Sequence, residues 1–178
     1  MDERVRFEQL YEAHGATVRR FVHRRLPASL ADDVVAEVFV SAWRRLADAP
    51  AQELPWLLGI ARGMIANARR GEARRAALHQ RAQGESAVRS QAGPEQQALD
   101  SDALLRAFAS LSEPDQELLR LVAWDGLDRG AAAQVLAISP TVFSVRLHRA
   151  RRRLARALTL TDEQQLRSRP QSSTEVSP

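Results

Sequence analysis

Between Ala131 and Leu158 the sequence changes face rather than composition, and this segment constrains the chain most. At about 100° per residue, Phe143, Leu147, Ala150, Leu154 and Leu158 fall on one face of a helix. Arg146, Arg149, Arg153 and Arg156 fall on the neighbouring stripe, and no acidic residue lies between Arg129 and Thr161. A short apolar segment and a turn around Ala137 precede it. A helix that is apolar on one side and purely cationic beside it, entered from a shorter helix, reads as the second helix of a DNA-binding helix-turn-helix.

The chain has 178 residues, with 44% apolar and 5% aromatic side chains. Ala, Leu, Arg, Glu and Gln dominate and β-branched runs are short, which predicts an all-α protein. All 26 basic residues are arginine and the formal net charge is +4. Clustering matters more than that total, because salt screens exposed charges beyond about 8 Å. Six arginines between Arg146 and Arg156 have no acid among them, and Arg62, Arg69, Arg70, Arg74, Arg75 and Arg81 surround only Glu72. Phosphate backbones are the natural counterpart of both clusters. With no cysteine, disulfides and thiol catalysis are excluded. His14, His23, His79 and His148 lack metal-ligand spacing, so no metal or cofactor is expected. Nothing resembles a nucleophile–base set or a phosphate-cradling loop, which argues against an enzyme or a small-molecule substrate. The absence of a long apolar run and of a signal-like start predicts a cytoplasmic protein with no membrane partner.

Along the chain, a first helix carries Phe7, Leu10, Tyr11, Val18, Phe21 and Val22 on one face and ends at Leu26-Pro27. A second is expected to start at Ser29, as N-cap, with Asp32 completing a capping box. Its apolar stripe runs through Ala31, Val34, Val35, Val38, Phe39, Ala42, Trp43 and Leu46. A third, around Pro55 to Arg75, buries Leu57, Ile60, Ala61, Met64, Ile65 and Ala68. The expectation is two small helical domains: residues 1–79 as a bundle, 80–100 as a flexible linker, 101–160 as a helix-turn-helix domain, and 161–178 as a disordered tail. In the second domain Leu104, Leu105 and Phe108 open the core. Ser112-Glu113-Pro114-Asp115 marks a helix start, Gly126 a stop, and Asp128 and Ser139 the caps of the last two helices.

These blocks, in this order, resemble the bacterial RNA polymerase sigma factors of the extracytoplasmic-function (ECF) group of the sigma-70 family. Residues 32–39 (Asp-Asp-Val-Val-Ala-Glu-Val-Phe) with Ala42-Trp43, and Trp56-Leu57 with Ile60-Ala61-Arg62, are similar to region 2. Residues 111–119 and Arg146-Leu147-His148-Arg149-Ala150-Arg151 are similar to region 4. The resemblance implies a protein that binds core RNA polymerase, recognises promoter DNA and helps open it, with no catalytic site of its own. It leaves room for an anti-sigma factor that clamps both domains. Asp32, Asp33, Glu37 and Arg44 are then the polymerase-binding candidates, although an acidic solvated face is the bland alternative. For the −10 element the candidates are Trp56, Arg62, Asn67, Arg69, Arg70 and Arg74. Trp56 also suits a core position, and Gly63 and Asn67 replace the family's usual Asn and Asp. For the −35 element they are Val142, Ser144, Val145, Arg146, Arg149, Arg152 and Arg153. Val142 and Val145 either touch thymine methyls or pack on the preceding helix. Where the turn normally has Gly this chain has Ala137, whose backbone must avoid positive φ or accept strain.

Two other readings compete. One is a stand-alone helix-turn-helix regulator binding an operator, which would not need a separate bundle with its own arginine cluster. The other is a helical enzyme with a metal held by Asp32, Asp33 and Glu37, three ligands drawn from a single helical segment.

Overall fold

The computed structural model describes residues 2–83 and 100–168. Among them are seven α-helices and no strand: α1 (Glu3–His23), α2 (Ala28–Arg44), α3 (Glu53–Gln83), α4 (Asp100–Ala109), α5 (Glu113–Ala123), α6 (Arg129–Val135) and α7 (Pro140–Ser168). A single 3-10 turn, Leu46–Asp48, follows α2. The all-α, two-domain expectation holds. The described residues divide into two compact units, 2–83 with 130–139 and 100–129 with 140–168. The expected linker, 80–100, lies outside the described residues except at its ends, where 80–83 belong to α3 and Asp100 opens α4. Of the expected tail, 161–168 continue α7 as helix, and 169–178 lie outside the described residues.

In the first unit α1, α2 and α3 pack on one another in all three pairs. Leu10, Val18, Phe21 and Val22 of α1 meet Ala31, Val34, Val35, Val38, Phe39 and Ala42 of α2 and Leu57, Leu58, Ala61 and Ile65 of α3, all buried. Each large side chain removed from water contributes about 1.5–3 kcal/mol, which outweighs the modest helix propensity of the valines. The periodicity identified these stripes with exceptions. Leu58 is fully buried, while Ile60 and Met64 are only half-buried. Tyr11 and Trp43 are exposed on their edges yet make T-shaped ring contacts, Tyr11 with Phe39 at 4.7 Å and Trp43 with Phe7 at 5.0 Å.

The start of α2 corrects the capping expectation. Pro27, at φ −63° and ψ 152°, is the N-cap and offers no side-chain bond, so Ser29 already lies inside the helix. Asp32 turns outward to α1, accepting from Arg19 at 2.8 Å and lying 3.1 Å from the His23 ring. Cationic partners on another helix outcompete a local cap. At the end of α1, Arg25 is buried with its guanidinium 3.6 Å above the Phe21 ring, and it donates to the Phe21 carbonyl at 3.1 Å.

In the second unit α4 and α5 each pack on α7. Leu118, Leu119 and Leu121 bury against Phe143, Leu147 and Ala150. Helix α4 turns Ala103 and Ala107 inward, whereas Leu104 and Leu105, expected in the core, are exposed. Small alanines let the helices approach closely, and the leucines fall on the far side of a short helix. Gly126 stops α5 with φ +67°, a conformation that glycine adopts without a Cβ clash.

Candidate nucleic-acid and polymerase interfaces

Helix α7 presents the stripe that its sequence foretells. Phe143, Leu147 and Ala150 are buried, and Arg146, Arg149, Arg152 and Arg156 are exposed. Val142 and Val145 stand out at 40% and 47% exposure. Asp128 and Ser139 sit immediately before the first residues of α6 and α7, the positions of helix caps.

The turn takes the strained option. Ala137 adopts φ +53°. Its N–H bonds the Gln134 carbonyl at 3.0 Å and the Ile138 N–H bonds Ala133 at 3.0 Å. These two bonds are the Schellman closure of α6, which usually places glycine at the left-handed position. The closure thus forms with a Cβ present, at a local cost of about 1–2 kcal/mol.

Two of the −35 candidates are otherwise engaged. Arg153 grips Asp115 of α5, with Nε and Nη2 each 2.6 Å from a carboxylate oxygen. Asp115 is buried, and the Arg153 hydrogen bonds hold its carboxyl below the usual carboxylate range. Desolvation opposes that shift, and the Ser112 hydroxyl, donating to the same carboxylate, reinforces it. This guanidinium is therefore a tie between α5 and α7 rather than an open phosphate contact. The Ser144 hydroxyl donates to the Pro140 carbonyl at 2.9 Å.

On α3, Arg62 and Arg74 are exposed, and the exposed Arg70 donates to Asn67. Arg75 pairs with Glu72. Arg69 is different: half-buried, it donates to the Arg25 carbonyl at 3.0 Å and so ties α3 to the end of α1. Trp56 is half-buried near the start of α3. On α2, Asp33, Glu37 and Arg44 are exposed, whereas Asp32 belongs to the Arg19–His23 cluster. That engagement removes Asp32 from the metal-site reading, and no group of three or more His, Asp or Glu able to hold a metal ion occurs among the described residues. Sequence spacing missed Asp115 and Arg25, because the partner of each lies on another turn or helix; only an acid inside an apolar helix face hinted at the first.

Comparison with known proteins decides between the readings. The sigma-70 region 2 family matches residues 10–75, and the sigma-70 region 4 family matches 101–154. The ECF RNA polymerase sigma factor SigL of Mycobacterium tuberculosis is 30% identical over 85% of this chain and 86% of its own length. The chain belongs to the ECF sigma factors. RNA polymerase sigma factor NccH of Alcaligenes xylosoxydans xylosoxydans is 28% identical over the same shares of the two chains. The solved structure of CnrH in complex with the cytosolic domain of CnrY superposes with a TM-score of 0.55 at 25% identity, over 86% of this chain and 88% of that one. RpoE of Bartonella quintana, solved with the anti-sigma factor NepR, has the same fold, with a TM-score of 0.63 at 23% identity over 86% and 96% of the chains. This sigma factor therefore binds core RNA polymerase and promoter DNA and directs transcription initiation. The stand-alone regulator is not favoured, since both regions are matched. Sigma factors are in general non-enzymatic regulators of initiation, and no single described helix is long and apolar enough to cross a membrane.

Proposed function

We propose a division of labour within this sigma factor. The exposed stripe of α7, with Arg146, Arg149 and Arg152, lies against the −35 duplex. Arg62, Asn67, Arg70 and Arg74 of α3 follow the strands of the −10 element. Asp33, Glu37 and Arg44 of α2 dock on core polymerase. Residues 1–79 and 101–160 form the two working domains, and neither performs a catalytic step. The factor acts in the cytoplasm, beside the polymerase. The observation that supports this most is the exposed guanidinium stripe on α7, in a stretch with no acidic residue between Arg129 and Thr161. Arginine contacts to phosphate position a reader on the duplex, and contacts to base edges specify it. By analogy with the CnrH–CnrY complex, the factor also takes a further protein partner, the place that an anti-sigma factor would fill.

Run-off transcription with purified core polymerase and genomic promoter fragments tests the assignment. Arg146→Glu with Arg149→Glu should abolish promoter-directed initiation and leave core binding intact. Loss of core binding instead would refute the division of labour. The free chain should bind duplex DNA weakly, with a salt dependence reflecting about 4–6 neutralised phosphates. Tight, salt-insensitive binding by the free chain would return the operator-binding regulator to favour.

A further inference from the structure

We propose that His14 is a positioning residue for promoter opening. It holds Glu53, and through Glu53 the first turn of α3, on which Trp56 stands. The inference rests on α3 following the −10 strands.

The sequence sets His14 apart. Phe7, Leu10, Val18 and Phe21 run along the inner side of α1, and position 14 falls in the same row by helical spacing. An apolar side chain would gain from burial there, whereas an imidazole loses hydration unless a polar group meets it. Helix α3 supplies that group. His14 Nε2 lies 3.6 Å from Glu53 Oε2, and the two side chains are 24% and 30% exposed. The distance is long for a hydrogen bond and suits attraction between an imidazolium and a carboxylate.

Glu53 is the first residue of α3, and Trp56 follows on the same side of the helix. The pair therefore ties the entry of α3 to the middle of α1. Arg69, bonded to the Arg25 carbonyl, ties α3 to the end of α1 further along. The −10 candidates Trp56, Arg62 and Asn67 lie between the two ties.

The other charged and titratable groups near α1 are directed elsewhere. On α2, Asp32 is engaged by Arg19 and His23, and Asp33, Glu37 and Arg44 are exposed. On α3 the next charged residue after Glu53 is Arg62, which is exposed. On α1 itself Glu12 and Arg19 fall on the far side of the wheel, and the Tyr11 ring packs on Phe39. The tie carries charge on both partners only while the imidazole is protonated. Its hold on α3 is thus present at lower pH and is lost as pH rises.

Open-complex formation by the reconstituted holoenzyme tests this, followed by 2-aminopurine fluorescence in the −10 element of a promoter it uses, from about pH 6 to about pH 8. At the acid end the parent should form about threefold more open complex than His14→Gln, the worth of a partly exposed ion pair, and the two should converge at the alkaline end. Glu53→Gln should remove the same pH-dependent difference. His14→Lys, a permanent cation, should open promoters at the acid level throughout. Affinity for core polymerase should stay unchanged in all three, which a loss of folding would not allow. His23→Gln, whose imidazole meets Asp32 on α2, should keep the parent's profile. The inference is overturned if His14→Gln opens promoters as the parent does across the range, if Glu53→Gln retains the profile, or if His14→Lys follows pH like the parent. Arg70→Ala with Arg74→Ala separates this failure from that of the −10 assignment. Opening that needs those arginines but ignores His14 removes the positioning role alone. Opening indifferent to both arginines removes α3 from the −10 element.

Discussion

Arg153 holds Asp115 through two parallel hydrogen bonds of 2.6 Å, tying the middle of α7 to the first turn of α5. The fork geometry of guanidinium on carboxylate fixes orientation as well as distance. It ties α7 to α5 within the second unit. Asp115→Asn should lower stability by about 1–2 kcal/mol, read as a fall in melting temperature, because a buried acceptor loses its charge-assisted bonds.

The same pair has a defined pH window. The carboxyl of Asp115 sits below its ordinary value in the fold, held there chiefly by Arg153. Its stabilisation is therefore fully present above the usual carboxylate range and is lost as pH falls through the lowered value. The melting temperatures of the parent protein and of Asp115→Asn should differ by a constant amount from pH 5 to pH 8 and converge only in strong acid. A gap that closes near neutrality would assign the stabilisation to another group.

Ala137→Gly should raise stability by about 1 kcal/mol, since glycine relieves the Cβ clash at φ +53° and loses part of that gain to chain entropy. Thermal melting reads the gain. A destabilised variant would mean that the Ala137 methyl group makes a contact outweighing its backbone strain.

Asp32 and Asp33 are neighbours in different surroundings, Asp32 paired with Arg19 and His23 and Asp33 exposed. Asp32→Ala should cost at most about 1 kcal/mol, the usual worth of an exposed ion pair, and leave affinity for core polymerase unchanged. Asp33→Arg with Glu37→Arg should weaken core binding at least tenfold without moving the melting temperature. Fluorescence titration of each variant with core polymerase distinguishes the two, and equal losses from both sites would contradict the assignment.

Arg69→Ala should behave as a folding variant. Its guanidinium bridges to the Arg25 carbonyl at 3.0 Å, so truncation removes a half-buried bond worth about 1 kcal/mol. Arg74→Ala should instead leave stability unchanged and reduce the salt slope of promoter binding by about 1.

Much was legible in the sequence because helices are local. The 3.6-residue period exposed the stripes of α2 and α7, Pro27 and Gly126 marked the breaks, and the ordered blocks around Asp33, Trp56 and Arg149 carried the family. Three-dimensional neighbours decided what periodicity could not reach. Asp32 belonged to Arg19 and His23, Arg69 to Arg25, and Arg153 to Asp115, so three members of apparently uniform clusters became struts. Val142 and Val145 stayed outside while Leu104 and Leu105 left the core. Spacing along a chain fixes which face of a helix a side chain occupies. Which charge meets it from 38 positions along the chain, as with Asp115 and Arg153, is set by helix packing alone.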